Sequence, residues 1–432
     1  MRRFVWTDMD AGAQSDALAR PYAVNDPALI ASVRAIMDDV KARGDVALAE
    51  YTAKFDTDSP VALRLPDEAL KAAWDALPAE DQAVIERARR NVKAFHAAQM
   101  PQDVEVETEP GVVCRREVRA IETAGLYVPG GTAPLVSTLI MLAVPAKVAG
   151  CRRRVVVTPP GADGTVNPVI LAAAYRCKVT DVFAVGGAQA IAALAYGTPT
   201  VPRCDKIFGP GNAYVAAAKS LAAQEPGGPA IDMPAGPSEA MVLCDSKSDA
   251  DFVASDLLSQ AEHDAVAQVV CVSCCPGMAD AVEAALERQL PALSRYNIAA
   301  AALEHGRMIV ADNRTDLVDI VNSYAPEHLI VQTDQPETLV PAIRNAGSIF
   351  LGPWTPESVG DYASGTNHTL PTNGAARAYS GITLDSFLKY VSVQQLTKRG
   401  LKSLGPTVER LAEMEGLDAH RNAVTLRLEA IK

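Results

Sequence analysis

Apolar residues recur at helical spacing from Pro27 to Lys54 and again from Pro66 to Met100, so most of the first hundred residues read as helices. From Val104 to Leu126 the period shortens to two, which predicts half-buried strands. Beyond about Ser137, short apolar runs alternate with Ala-rich helical stretches. Strands are predicted at Arg154 to Thr158, Val179 to Val185, Lys206 to Phe208 and Ala230 to Met233. A second series follows, with helix Ala250 to His263, strand Gln268 to Val272, helix Met278 to Leu293, strand Met308 to Val310 and helix Thr315 to Ser323. Strands His328 to Val331 and Ser348 to Leu351 continue it. The alternation predicts an α/β protein with parallel sheets covered by helices on both faces, arranged as two doubly wound units with a cleft between them. After Ser380 the pattern reads as helical to the end. A tail of that length is too short to enclose a core and is expected to dock elsewhere, a second subunit included.

Charge and composition narrow the partners. The 432 residues carry a formal net charge of −12, and the only short basic run is Arg152 to Arg154, so nucleic acid is not expected. The N-terminus lacks an apolar targeting segment, and the apolar run Leu139 to Val148 is interrupted by Pro145 and Lys147. A soluble, cytoplasmic protein with no membrane partner is expected. Most of the eight cysteines stand in apolar segments, as in a reducing compartment. Cys271 and Cys274 have CxxC spacing, but alternation on a strand points them to opposite faces.

The candidate chemistry lies in four of the six histidines, which fall in short polar motifs. Gln260 and His263 stand three apart on a predicted helix and project from one face, where both can reach one metal ion. A solvated helix end is the plainer alternative, since Gln is a rare metal ligand. Glu327 and His328 pair a carboxylate with an imidazole at the start of a strand and are expected to point to opposite sides, one to activate water and one to take a proton. An ordinary strand start is the plain alternative. Asp361 and His368 belong to a polar stretch, Glu357 to Thr372, after a predicted strand, and Glu415 and His420 lie in the tail. His96 and His305 sit in helix-like surroundings and are expected to be structural. Glycine-rich turns occur at Val128 to Gly131, Val185 to Gln189 and Phe208 to Tyr214. The last two run from strand to helix, where backbone amides receive phosphate. Gly209-Pro210-Gly211 approaches a dinucleotide fingerprint, with Asp232 about twenty residues on, but Tyr214 replaces the third glycine.

In order along the chain, several motifs resemble the histidinol dehydrogenase family: Gly125 to Gly131, Phe208 to Asn212, Asp232 to Glu239, Gln260 to His263, Tyr324 to Leu329, Gly360 to Thr372 and Glu415 to Val424. The resemblance implies two incomplete Rossmann-like domains, a helical N-terminal segment and a small helical C-terminal tail. The expected boundaries are 1–120 with 239–380 for the first domain, 121–238 for the second, NAD-side domain, and 381–432 for the dimer-contacting tail. It implies one Zn2+ per subunit held by Gln260, His263, Asp361 and His420, the last from the partner in a homodimer with shared sites. The implied substrate is L-histidinol, in a pocket formed by those four ligands with Ser238, Glu327, His328, His368 and Glu415. NAD contacts are implied at Tyr127, Gln189 and Asn212. Glu327 and His328 become the catalytic pair. Because no cysteine lies beside a site motif, the aldehyde intermediate is expected to go forward as a hydrate rather than a thiohemiacetal. The alternatives are a related zinc and NAD dehydrogenase of another polar alcohol, such as a sulfonated diol, and a zinc hydrolase that binds no nicotinamide.

Overall fold

A computed structural model describes residues 1–20, 26–130, 134–234 and 236–431; Gly131 and Ala235 of the motifs quoted above lie outside the described residues. By internal contacts the chain divides into one unit of residues 1–99 and 122–387 and another of residues 100–121 and 388–432.

The larger unit contains two six-stranded sheets. In the first, strands run in the order Arg2–Val5, Arg307–Val310, Gln268–Ser273, Glu239–Cys244, His328–Val331 and Ser348–Leu351, all parallel. The central strand Glu239–Cys244 was not among the predicted ones, nor was the edge strand Arg2–Val5. Glu239–Cys244 is buried on both faces, so it lacks the alternation that marks a half-exposed strand. Helices cover both sides. Leu257, Val282 and Ala302 pack on one face, and Leu317, Ile320 and Tyr324 on the other.

The second sheet runs Arg64–Leu65, Asp181–Ala184, Arg153–Thr158, Thr123–Tyr127, Lys206–Phe208 and Ala230–Ile231, parallel except for the antiparallel edge strand Arg64–Leu65. The N-terminal helices Pro27–Arg43 and Asp45–Phe55 pack here, through Val33, Met37, Val40 and Leu48 against Val155, Phe183 and Ile191. The expected place of these helices was with residues 239–380. Their apolar stripes are equally suited to either sheet, and only the tertiary packing selects one.

The smaller unit corrects the expectation of a purely helical tail. Leu388–Leu396 is a strand, paired antiparallel with Val112–Ala120, which in turn pairs with Val104–Glu109. Its residues are almost all exposed, so burial leaves no periodic mark on the sequence. Helices Lys398–Met414 and Asp418–Glu429 follow and pack on each other. Among the described residues no helix is long and apolar enough to cross a membrane.

Candidate active site

Alternation along His328–Val331 places His328, Ile330 and the following Gln332 on one face of the first sheet. Helix Ala250–Ala261, capped by the Asp249 side chain, packs on that face through Val253, Leu257 and Ala261 against Ile330 and Phe350. Two polar residues a turn apart on this helix therefore enter the interior. Asp256 accepts a 2.6 Å hydrogen bond from Gln332 Nε2. Gln260 is buried, and its Oε1 has no hydrogen-bonding partner among the described residues. His263 follows the last turn as an exposed residue, yet its ring feels Asp361 and His328: desolvation lowers its pKa, Asp361 raises it and His328 lowers it further.

The polar stretch after Ser348–Leu351 contains a short helix, Glu357–Tyr362, which places Glu357 and Asp361 one turn apart on the same side. A Cβ on Gly360 would stand 2.5 Å from the Phe350 ring, so glycine is what lets this helix lie so close to the sheet. Asp361 Oδ1 is 3.5 Å from His328 Nε2; Glu327 and Glu357 oxygens are 3.7 and 3.8 Å from Nδ1. The ligand atoms of His328, Glu357 and Asp361 lie within 4.8 Å of one another, a spacing suited to a metal ion. His328 Nε2, Glu357 Oε2 and Asp361 Oδ1 are buried without hydrogen-bonding partners among the described residues.

Three carboxyl groups around one imidazole divide the protons unevenly. Burial pushes Glu327 and Glu357 each up to about 8, with His328 pulling back. Burial alone would discharge His328, but Glu357, then Glu327 and Asp361, hold its pKa well above the ordinary value. Asp361 loses stabilisation through burial but ends below its usual range because of its contact with His328. The backbone of Glu239 sets both catalytic candidates. Its N–H donates to Glu327 Oε2 at 2.9 Å, and its carbonyl oxygen lies 3.1 Å from His328 Nδ1. In the neutral imidazole this carbonyl selects the tautomer with the proton on Nδ1, leaving Nε2 as the acceptor. Glu239 is anchored in turn by a bidentate pair with Arg20, at 2.5 and 2.8 Å.

Glu327 and His328 were expected on opposite sides of a strand. They instead approach to 3.7 Å, because Glu327 lies in a bend after Ala325, whose φ is +57°, and pleating begins only at His328. His368 joins them through Nδ1, 3.0 Å from the Asp361 carbonyl oxygen, and Nε2, 3.0 Å from Thr138 Oγ1. Burial lowers its pKa. Ser238, Glu327 and His368 line a cavity of about 80 Å3 together with Gly209, Gly211 and Lys219. The cluster therefore sits at the amino end of strand His328–Val331, whereas the glycine turns follow the carboxyl ends of second-sheet strands.

In those turns, the Tyr127 hydroxyl accepts the Gly187 N–H at 3.2 Å, Gln189 is buried, and Asn212 Oδ1 caps helix Ala213–Gln224. The Asp232 side chain, noted for its distance from Gly209, is engaged inside the protein by the Gly209 and Met233 N–H groups and by Lys219. Glu415 and His420 belong to the smaller unit, where both are exposed. His96 is a core residue whose Nδ1 lies 2.8 Å from the Val92 carbonyl oxygen. Sequence reasoning passed over Glu357, Glu239 with Arg20, and Lys219. Only the first left a signal, its four-residue spacing from Asp361.

Parallel sheets with a buried carboxylate and imidazole cluster, and with unpartnered Gln and Asp oxygens beside it, define an α/β enzyme arranged for proton transfer next to a cation or polar ligand. The chain belongs to the histidinol dehydrogenase family: the model described as Histidinol dehydrogenase matches residues 20–428. It is 50% identical over 431 residues to histidinol dehydrogenase of Vibrio parahaemolyticus serotype O3:K6 (strain RIMD 2210633), covering 100% of this chain and 99% of that one. Over 427 residues it is 50% identical to histidinol dehydrogenase of Escherichia coli (strain K12), covering 99% and 98%. The fold matches a crystal structure of histidinol dehydrogenase from Elizabethkingia anophelis with a TM-score of 0.95 at 43% identity, covering 100% and 98%. Membership makes it an NAD-dependent oxidoreductase of histidine biosynthesis.

Proposed function

We propose that the chain oxidises L-histidinol through L-histidinaldehyde to L-histidine with two NAD, using one zinc ion per subunit. Gln260, His263 and Asp361 would hold the metal, with His420 from a second copy of the chain. Glu415 of that copy, Ser238 and His368 would complete the substrate pocket. The observation that carries this reading is the set of buried oxygens without partners, Gln260 Oε1 and Asp361 Oδ1, one turn before His263 and beside His328 respectively. Leaving such groups unpaired is costly, and a cation satisfies them. The exposure of Glu415 and His420 in their own chain supports a shared site in a homodimer. The eight unpaired cysteines support the expected cytoplasmic setting.

Zinc would supply a cation that orients the imidazole and amino nitrogens of the substrate and offsets the negative field around His328, and NAD would accept a hydride in each oxidation. His328 takes the alcohol proton on Nε2 while Glu239 keeps Nδ1 engaged. Glu327 then removes a proton from the water that adds to the aldehyde, and His328 gives the proton it holds to the aldehyde oxygen, which restores the neutral imidazole. His328 takes the hydroxyl proton of the resulting hydrate in the second oxidation, which gives the acid directly.

The test is the ratio of NADH formed to L-histidinol consumed, read at 340 nm with product analysis. Two NADH and histidine are expected. One NADH with released aldehyde contradicts the second step, and no turnover contradicts the substrate. Metal content separates ligand sets: His263→Asn should lose zinc, whereas loss from Glu357→Gln alone would move the metal onto the triad of His328, Glu357 and Asp361.

A further inference from the structure

We infer that Lys219 and Asp232 are positioning residues that set the dinucleotide-side wall of the reaction cavity by clamping both backbone polar groups of Gly209. The inference rests on the proposed NAD contacts at Tyr127, Gln189 and Asn212.

Lys219 Nζ and Asp232 Oδ1 are 2.5 Å apart, and their side chains are only 2% and 1% exposed. A buried ion pair is weak evidence for stability, since well-packed apolar residues often do as well or better. Its geometry gives it another task. Asp232 Oδ2 accepts the Gly209 N–H at 2.8 Å, and Lys219 Nζ donates to the Gly209 carbonyl oxygen at 2.8 Å, so both polar groups of one residue are gripped by one pair. Asp232 Oδ1 also accepts the Met233 N–H at 2.8 Å, tying the turn to the segment that leads to Ser238.

What the grip holds is a close approach. Gly209 has φ +119°, and a Cβ there would stand 2.2 Å from the Tyr127 carbonyl oxygen. The end of strand Thr123–Tyr127 and the turn into helix Ala213–Gln224 are thus pressed together at Gly209, three residues before the capping Asn212. Lys219 reaches back from the second turn of that helix, the direction in which helical side chains lean. Because Asp232 neutralises it, Lys219 offers the ligand little net charge, and its contribution is placement. The same pair lines the cavity that Ser238, Glu327 and His368 also line. Displacing the turn would therefore change the distance between the bound dinucleotide and the proton-transfer residues.

The experiment uses the zinc-loaded, full-length enzyme. NADH affinity is read by fluorescence titration, steady-state constants are measured for both substrates, and circular dichroism reports the fold. The double variant Lys219→Met/Asp232→Leu removes both charges, so neither is left alone. Asp232→Asn, the conservative variant, keeps an acceptor for the Gly209 N–H. The double variant is expected to weaken NADH binding and raise the NAD KM about tenfold, with histidinol KM within twofold. Asp232→Asn should show about threefold on the same two readouts. Unchanged NADH affinity in either variant that keeps its fold overturns the proposal, and so does loss of fold by both, which would make the pair a folding requirement. Asn212→Ala and Gln189→Ala check the underlying reading. If these leave NADH affinity unmoved while the clamp variants shift it, the assigned contacts are wrong but the clamp stands.

Discussion

Arg20 holds Glu327 and His328 at one remove, through Glu239, and its removal has a cost that can be worked from the structure. The guanidinium makes a bidentate bond to Glu239, donates to the Tyr324 carbonyl at 3.0 Å and lies 4.0 Å over the Tyr324 ring. In Arg20→Met the Glu239 carboxylate, 3% exposed, keeps one donor, the Asn373 N–H at 2.9 Å. Breaking a buried pair from one side costs roughly 3–5 kcal/mol. Water reaching the part-buried Arg20 site brings the cost to the lower end of that range, roughly 3 kcal/mol. Urea unfolding of wild type and Arg20→Met should differ by about 3 kcal/mol at pH 7. Arg20→Met/Glu239→Leu should recover most of the loss. No recovery in the double variant would refute the assignment of the cost to Glu239. Because the Glu239 peptide orients Glu327 and His328, kcat of Arg20→Met should also fall, by about tenfold, which corresponds to about 1.4 kcal/mol.

Four further outcomes are expected. Burial raises Glu327 to about 8, so turnover should rise with unit slope in log rate between pH 6 and 7 and level off at or below about 8, since a bound cation favours the carboxylate; a flat profile removes Glu327 as the base. Burial raises Asp256 to about 6 against the opposing Gln332 bond. Its folded state retains a proton the unfolded state has lost, and Asp256→Asn should gain up to about 3 kcal/mol over wild type between pH 4 and 7 in metal-free unfolding. Zinc should raise the melting temperature of the chelated protein and leave Asp361→Asn unmoved; an equal rise in both would place the ion elsewhere. His420→Asn and His263→Asn, each inactive, should regain part of the activity when mixed under subunit exchange, and no recovery despite demonstrated exchange speaks against a site shared between subunits.

Much of the α/β pattern could be read directly. Strands Lys206–Phe208, His328–Val331 and Ser348–Leu351 have the predicted bounds because short apolar runs between turn residues are local signals. Strand Glu239–Cys244 escaped because it opens with a charged residue that becomes buried only when Arg20, 219 positions away, closes on it. Leu388–Leu396 looked helical because an exposed strand carries no burial period, and its partner Val112–Ala120 is far away in the chain.

The site divides in the same way. The residue types and spacings of Gln260, His263, Glu327, His328 and Asp361 made them candidates from the sequence, beside plainer readings as a helix end or a strand start, and the resemblance of the ordered motifs to one family is what gave them roles. The sequence could not show that Glu327 and His328 lie on one side, that Glu357 joins them, or that Lys219 and Asp232 grip Gly209. Those follow from backbone bends and from groups that meet across long loops, and such encounters have no periodicity to read. Local spacing determined which elements form and which chemistry is available. Only the tertiary structure decided which carboxylates share a proton, because a pKa depends on burial and on neighbours distant in sequence.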